Sequence, residues 1–285
     1  MSNPQLPDTS IILLGAPRSG TTLLAQVLRR HPSVAYWKEP RILWKYGNEL
    51  RSDLLSPRHA TSSVRRYIRG QINEYVRSEG KTHYFEKLPN HSLRMEFVEE
   101  VLPGCKFIHI RRSPAASISS IRAKWLGNAE KLPAARLKKR VKEASLRQYP
   151  RYTAILLHRL LKRLELQKKR TLPFWGPELP GMRQLVDELQ LVEVAALQWR
   201  YCTELAAAYG STLPEDRYLE ISLEELDVTM LRKVMQFANL SLSPDVEEFF
   251  MQKLNSERQH KSPYQLSEQD VTLIRRWVPE IDSSV

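Results

Sequence analysis

Short runs of consecutive apolar residues alternate along the chain with longer stretches in which apolar positions recur every three or four residues. That pattern predicts strands buried on both faces, separated by covering helices. The first run, residues 11–14 (IILL), breaks at Gly15, passes through Ala16-Pro17-Arg18-Ser19 to Gly20, and resumes as Thr21-Thr22-Leu23-Leu24 with helical spacing. The helix ends near His31-Pro32, and a second apolar run covers residues 34–37. Pro40 suits the first turn of a new helix, which would set Glu39 at its N-terminal lip.

Residues 58–79 form a basic amphipathic pattern with Val64, Tyr67, Ile68, Ile72, Tyr75 and Val76 at core spacing. A strand over 82–86 runs into Lys87, a helix is expected over about 92–102, and a strand over 106–110 runs into Arg111-Arg112-Ser113-Pro114. Ser113 is a natural N-cap and Pro114 a natural first helical residue. One long helix over 184–209 would place Leu185, Leu189, Val192, Ala196, Trp199 and Cys202 on one face. A strand over 217–221, a helix over 226–240, another from Ser243-Pro244 and a last one capped by Ser267 with Asp270 complete the pattern, with a polar basic loop at 256–261. The expected fold is α/β: a P-loop-type parallel sheet with helices on both faces.

Residues 127–170 depart from this alternation, being helical in spacing, strongly basic and poor in acids, and the stretch Leu172-Pro173-Phe174-Trp175-Gly176-Pro177 ends them. A single domain over 1–285 with a basic helical insertion at about 127–180 is therefore expected. The insertion fits a solvated helical pair or a basic rim facing an anionic acceptor or an acidic membrane surface. Phe174 and Trp175 fit either stacking on a ligand ring or packing on the core.

The 285 residues include 42% hydrophobic and 27% charged ones, ordinary values for a globular protein, so disorder is not expected. A formal charge of +12, from 44 Lys+Arg against 32 Asp+Glu, favours anionic partners without choosing among them. Cys105 and Cys202 lie in apolar surroundings and read as core residues of a reducing compartment. The opening MSNPQLPDTS has neither the basic nor the apolar region of a leader, and no run is long enough to span a bilayer, which together read as cytoplasmic.

The loop from Gly15 to Gly20 would aim several backbone N–H groups and the positive end of a helix dipole at one point, a place for phosphate. It has the spacing of a P-loop, but Thr21-Thr22 stand where a nucleotide triphosphatase has Lys followed by Ser or Thr; the basic residue is Arg18, inside the loop. The missing lysine removes the group that normally reaches the β- and γ-phosphates, which argues against ATP or GTP chemistry. At the second junction Ser113, Ser117 and Ser120 follow at i, i+4 and i+7, a hydroxyl stripe continuing from Arg112 or a small packing face. Lys87 ends a parallel strand, where open sheets bind ligands, although a lone lysine there is also an ordinary solvated charge.

The two junctions together resemble those of sulfotransferases that use 3′-phosphoadenosine 5′-phosphosulfate (PAPS). The resemblance implies that Ala16, Pro17, Arg18, Ser19, Gly20, Thr21 and Thr22 hold the 5′-phosphosulfate and that Arg112 and Ser120, eight residues apart, hold the 3′-phosphate. PRSGTT with a glutamate after the first helix is particularly similar to protein-tyrosine sulfotransferases and related bacterial enzymes. By that similarity Glu39 is the general base, Lys87 lies near the bridging oxygen, and Arg18 shares in catalysis. Leu223 replaces a family tyrosine, Ser113 replaces a common aspartate, and Arg258 and Lys261 fall where the family often adds donor contacts. His91 and His109 remain alternatives for the base, His109 as a mid-strand residue better suited to the core.

The reading is thus a sulfotransferase acting on an acceptor hydroxyl, with an acidic glycan, a lipid headgroup, a peptide tyrosine or a small metabolite as acceptor and no metal, since no His/Cys/Asp/Glu ligand spacing occurs. A P-loop phosphotransferase lacks its lysine. A nucleic-acid-binding protein using the basic helices leaves both phosphate-binding junctions unexplained, so no nucleic acid partner is expected.

Overall fold

The computed structural model describes residues 7–129, 174–259 and 266–281. Five strands, β1 (Thr9–Leu14), β2 (Val34–Lys38), β3 (His83–Lys87), β4 (Lys106–Arg111) and β5 (Tyr218–Ser222), form one sheet in the order β2-β3-β1-β4-β5. Every neighbouring pair is parallel. The expected α/β fold is therefore present, and all five strands deliver their last residues to the same edge.

The apolar run in β1 is continuous because both sides of the strand are covered. Ile11 and Leu13 pack with α1 (Thr21–Leu28), whose Leu24 and Leu28 are fully buried, while Ile12 and Leu14 face Val64, Ile68 and Ile72 of α2 (Ser62–Ser78) and Phe97 of α3 (Met95–Val101). A further cluster joins α4 (Pro114–Ala129) to α5 (Met182–Glu188) and α6 (Leu191–Gly210) through Ile118, Trp125, Met182 and Val192. The remaining helices are α7 (Val228–Phe237) and α8 (Pro244–Gln259), whose Leu231 and Phe250 complete the α1 face, and α9 (Glu268–Arg275). Ser267 caps α9 by accepting from Asp270 N at 3.1 Å, as expected. Both cysteines are buried.

Five boundaries differ from the sequence reading, each for a local reason. The helix expected from residue 58 is a 3-10 turn, Pro57–His59, followed by α2 from Ser62, where the Thr61 hydroxyl caps the helix by accepting from Val64 N at 3.4 Å. The helix expected over 184–209 is two, because Leu189 is extended and Gln190 N donates to the Glu193 carboxylate at 3.2 Å. Glu193 also accepts from Trp277 Nε1 at 3.0 Å, which fixes where α6 starts. The helix expected from Ser92 is a 3-10 turn, Pro89–Leu93, followed by α3, because Arg94 adopts φ −155° and turns its side chain inward. The chain after Pro40 makes a turn and a 3-10 helix, Leu43–Lys45, in place of an α-helix. Residues 256–259, expected in a loop, continue α8. Most of the basic insertion lies outside the described residues.

Gly15 sits at φ 148°, and a Cβ there would collide with the Ile110 carbonyl oxygen at the end of β4. The backbone of the loop therefore runs directly against the neighbouring strand. Gly15→Ala is expected to cost about 1–3 kcal/mol in urea denaturation; a loss below about 0.5 kcal/mol would contradict this close approach.

Candidate active site

The loop between β1 and α1 is built from its own short contacts. Ser19 N and Oγ both donate to the Ala16 carbonyl, at 3.2 and 2.7 Å, and Gly15 N donates to Ser92 Oγ at 3.1 Å. Gly20, at φ 89°, opens α1, and no side chain caps that end. The first N–H groups of α1, from Thr21 and Thr22, thus stand at the loop with the helix dipole behind them. Ala16, Pro17, Ser19 and Thr21 are buried, whereas Arg18 and Thr22 are exposed.

The second junction meets this loop. Arg18 Nε donates to Ser120 Oγ at 2.9 Å, and Arg112 Nη1 donates to the Arg18 carbonyl at 3.0 Å. Trp199 Nε1 reaches the Arg112 carbonyl at 3.4 Å, so the tryptophan assigned to the α6 core face also touches the site. Ser117 is fully buried, and Ser120 is nearly so. Leu223 packs against Gly20, where a Cβ would strike its side chain. Ser113 N donates to Glu224 Oε1 at 3.1 Å.

Across the loop, Lys87 Nζ donates to Glu39 Oε1 at 2.5 Å, and Arg41 Nη2 pairs with Glu39 Oε2 at 3.0 Å. The Lys87 side chain is only 6% exposed, so the solvated-charge reading is excluded. Among the described residues three non-glycine residues have positive φ: Arg18 at 72°, Glu39 at 51° and Asn239 at 57°. Backbone strain of this kind collects at functional sites, and two of the three lie in the turns that leave β1 and β2 at this edge of the sheet. Burial, then the negative charge of Glu39, pushes the Tyr36 hydroxyl up to about 12.

Beneath Glu39 and Lys87 lies a buried polar network that the sequence reading did not single out. Glu86, wholly buried, accepts from Trp44 Nε1 at 2.9 Å, Tyr84 OH at 2.9 Å and His91 Nε2 at 2.6 Å. Arg94 Nε donates to His91 Nδ1 at 3.2 Å, which assigns the proton of His91 to Nε2. Burial lowers the His91 pKa, consistent with a neutral ring. Arg94 continues to Asp53 at 3.5 Å, and Asp53 also takes Lys45 Nζ at 3.0 Å, Asn90 Nδ2 at 2.5 Å and Glu178 N at 2.9 Å. Burial alone would push the Asp53 carboxyl up, but the charges of Arg94 and Lys45 hold it below its ordinary value. A glutamate inside a strand buried on both faces was the available signal, because such a group must find donors.

His91 is therefore sealed away from any acceptor, and Glu39 is the carboxylate open at the edge. His109 is also fully buried, with Nδ1 2.7 Å from Tyr218 OH. Phe174 and Trp175 stack edge-on against Trp125, with ring centroids 5.3 and 6.4 Å apart, which decides for core packing. Arg258 falls in the last turn of α8, and Lys261 lies outside the described residues. Among the described residues no group of His, Cys, Asp and Glu is arranged to hold a metal ion, and no helix is long and apolar enough to cross a membrane.

A family model described as the Sulfotransferase family matches residues 10–174. Nodulation protein NoeE of Sinorhizobium fredii is 27% identical over 129 residues, 40% of this chain, and the match spans only 31% of that relative. The crystal structure of sulfotransferase STF9 from Mycobacterium avium superposes with a TM-score of 0.53 at 14% identity, covering 98% of this chain and 78% of that one. That likeness carries the fold.

Removing Asp53 would leave Arg94 and Lys45 buried without their counter-charge. Asp53→Ala is expected to destabilise the chain by about 3–5 kcal/mol in chemical denaturation. A cost under about 1 kcal/mol would show that Arg94 and Lys45 do not depend on Asp53 for their counter-charge.

Proposed function

This chain belongs to the sulfotransferase family, and we propose that it moves a sulfuryl group from PAPS to an acceptor hydroxyl, with Glu39 as general base and the whole chain acting as one catalytic unit. The observation that carries this reading is the Lys87–Glu39 contact of 2.5 Å at the sheet edge, beside the loop that ends β1. A base, a cation and an anion-binding loop are the three parts that such a displacement needs.

The residues fit a donor with two separate anionic groups. The glycine positions leave no room for side chains at Gly15 and Gly20, so the backbone itself forms the floor of the loop. Arg18 and Thr22 are exposed at its mouth, and Arg112 with Ser120 stands one strand further along. In this reading the loop amides with Arg18 hold the 5′-phosphosulfate, and Arg112 with Ser120 holds the 3′-phosphate. When bound, PAPS supplies a sulfuryl group whose sulfur–oxygen bond to the 5′-phosphate breaks as the bond to the acceptor oxygen forms.

Glu39 takes the acceptor's hydroxyl proton on a carboxylate oxygen. Lys87, held almost without solvent contact beside Glu39, supplies in this reading the positive charge for the oxygen that leaves with the phosphate. The loop amides and Arg18 spread the remaining charge, an electrostatic role that needs no movement of the backbone. The acceptor approaches from the Glu39 side, because the opposite flank is taken by Arg112 and α4.

Glu39→Gln keeps the shape of the side chain and removes its basicity. Turnover of PAPS with an acceptor found by screening phenols, sugars and aliphatic alcohols is expected to fall by roughly 100- to 10,000-fold. Binding of adenosine 3′,5′-bisphosphate should stay within about twofold, the change expected of a group that acts only on the proton. Retained turnover would assign the base elsewhere.

A further inference from the structure

Beyond Glu39 the chain builds a second concave site. A cavity of about 300 Å³ lies among Tyr46, Asn48, Arg51, Arg58, His59 and Thr61. These residues belong to the segment that joins the Glu39 turn to α2.

Its position follows from topology. β2 and β3 are parallel neighbours joined through α2, so the end of β2, the start of α2 and the end of β3 lie at one edge of the sheet. Along that edge the strand order places Glu39 after β2, Lys87 at the end of β3, the Gly15 loop after β1 and Arg112 after β4. The cavity lines the connection that leaves this row at its β2 end, from Tyr46 after the Glu39 turn to Thr61 at the start of α2.

Its walls are held in place. Lys45 Nζ donates to the carbonyls of Arg51 and Ser52, both at 2.8 Å, while pairing with Asp53, so the backbone that carries Arg51 is tied to the buried network. Asn48, itself buried, donates from Nδ2 to the His59 carbonyl at 3.2 Å, joining that loop to the 3-10 turn Pro57–His59 that carries Arg58. Tyr46 stacks on Tyr67 with ring centroids 3.7 Å apart and an interplanar angle of 16°, which fixes an aromatic wall. The nearby Glu49 carboxylate accepts from Gly47 N at 3.0 Å. Arg51 and Arg58 both line the cavity, and burial, then the charge of Arg51, lowers the His59 pKa against the opposing Ser56 hydrogen bond.

We propose that this cavity is an acceptor subsite for an anionic sugar: Arg51 and Arg58 take its carboxylate or sulfate, and Tyr46 packs on the ring. Guanidinium groups bind such anions through paired N–H donors, and an aromatic face suits the apolar side of a pyranose. A volume of about 300 Å³ is at the small end of ligand sites and fits one sugar unit, not an extended chain. The assignment to the acceptor rests on Glu39 being the base; the existence of the site does not.

Binding is therefore read without turnover. Titration calorimetry of the full chain with a sulfated, uronate-containing disaccharide, beside the neutral disaccharide maltose, is the test. The anionic sugar is expected to bind at millimolar Kd and maltose at least about tenfold more weakly. Arg51→Ala with Arg58→Ala should abolish the difference, and Tyr46→Ala should weaken both sugars, while adenosine 3′,5′-bisphosphate binding is unchanged. Equal binding of the two sugars, no binding of the anionic one, or binding indifferent to the arginine pair would overturn the proposal. Loss of base function in Glu39→Gln with sugar binding intact would separate the two readings: Glu39 can fail as the base while this site stands, and the reverse.

Discussion

The arrangement of the site depends on one constraint: the sheet is parallel throughout, so every strand ends at the same edge. With strands about 4.8 Å apart, neighbouring strand ends are neighbouring side chains. The order β2-β3-β1-β4-β5 converts residues far apart in sequence into a row, Glu39, Lys87, the Gly15 loop and Arg112. β1 is the strand from which the chain departs first to one side and later to the other, the position at which open α/β sheets hold ligands. A one-residue slip of β3 would exchange Lys87 with Glu86, sending the lysine into the interior and the glutamate to the edge. The register Leu13 with Lys87 and Lys38 with Lys87 is thus what sets Lys87 at the edge beside Glu39.

Adjacent positions in β3 carry opposite tasks. Lys87 meets Glu39 at the edge, whereas Glu86 is buried and gathers Trp44, Tyr84 and His91. Trp44 belongs to the turn that follows Glu39, so the carboxylate of Glu86 ties that turn to the strand that bears Lys87. Asp53 makes a second tie further along the same segment and extends it to Glu178, beyond the basic insertion. Buried ionic groups of this kind stabilise little in total, because desolvation offsets most of their attraction, but they tolerate few alternative arrangements. Glu39 is held at φ 51° in a segment anchored at both points, which is how a strained residue persists.

Much of this was legible in the amino-acid sequence because it depends on local pattern. The apolar runs ending in Gly15, Lys87 and Arg112 marked three of the strand ends, and the Ser113-Pro114 start set the phase that brings Ser120 to Arg18. What was not legible depended on tertiary partners. Arg94 broke a helix because Asp53 and His91 drew it inward, and Glu193 set the start of α6 because Trp277 and Gln190 N both needed an acceptor. Phe174 and Trp175 had two readings until Trp125 was seen beside them. The pairing of Lys87 with Glu39 joins residues 48 positions apart, and only the strand order brings them together.

In the proposed function the two junctions form one site for a 3′,5′-phosphorylated adenosine. Isothermal titration with adenosine 3′,5′-bisphosphate in the absence of added metal, beside ATP with Mg²⁺, tests it directly, with Arg112→Ala as the control. Micromolar binding of the bisphosphate, weakened at least about tenfold by that substitution and absent for ATP, is the predicted result, a loss equivalent to about 1.4 kcal/mol. Preference for ATP with Mg²⁺, or bisphosphate binding indifferent to Arg112, would contradict it.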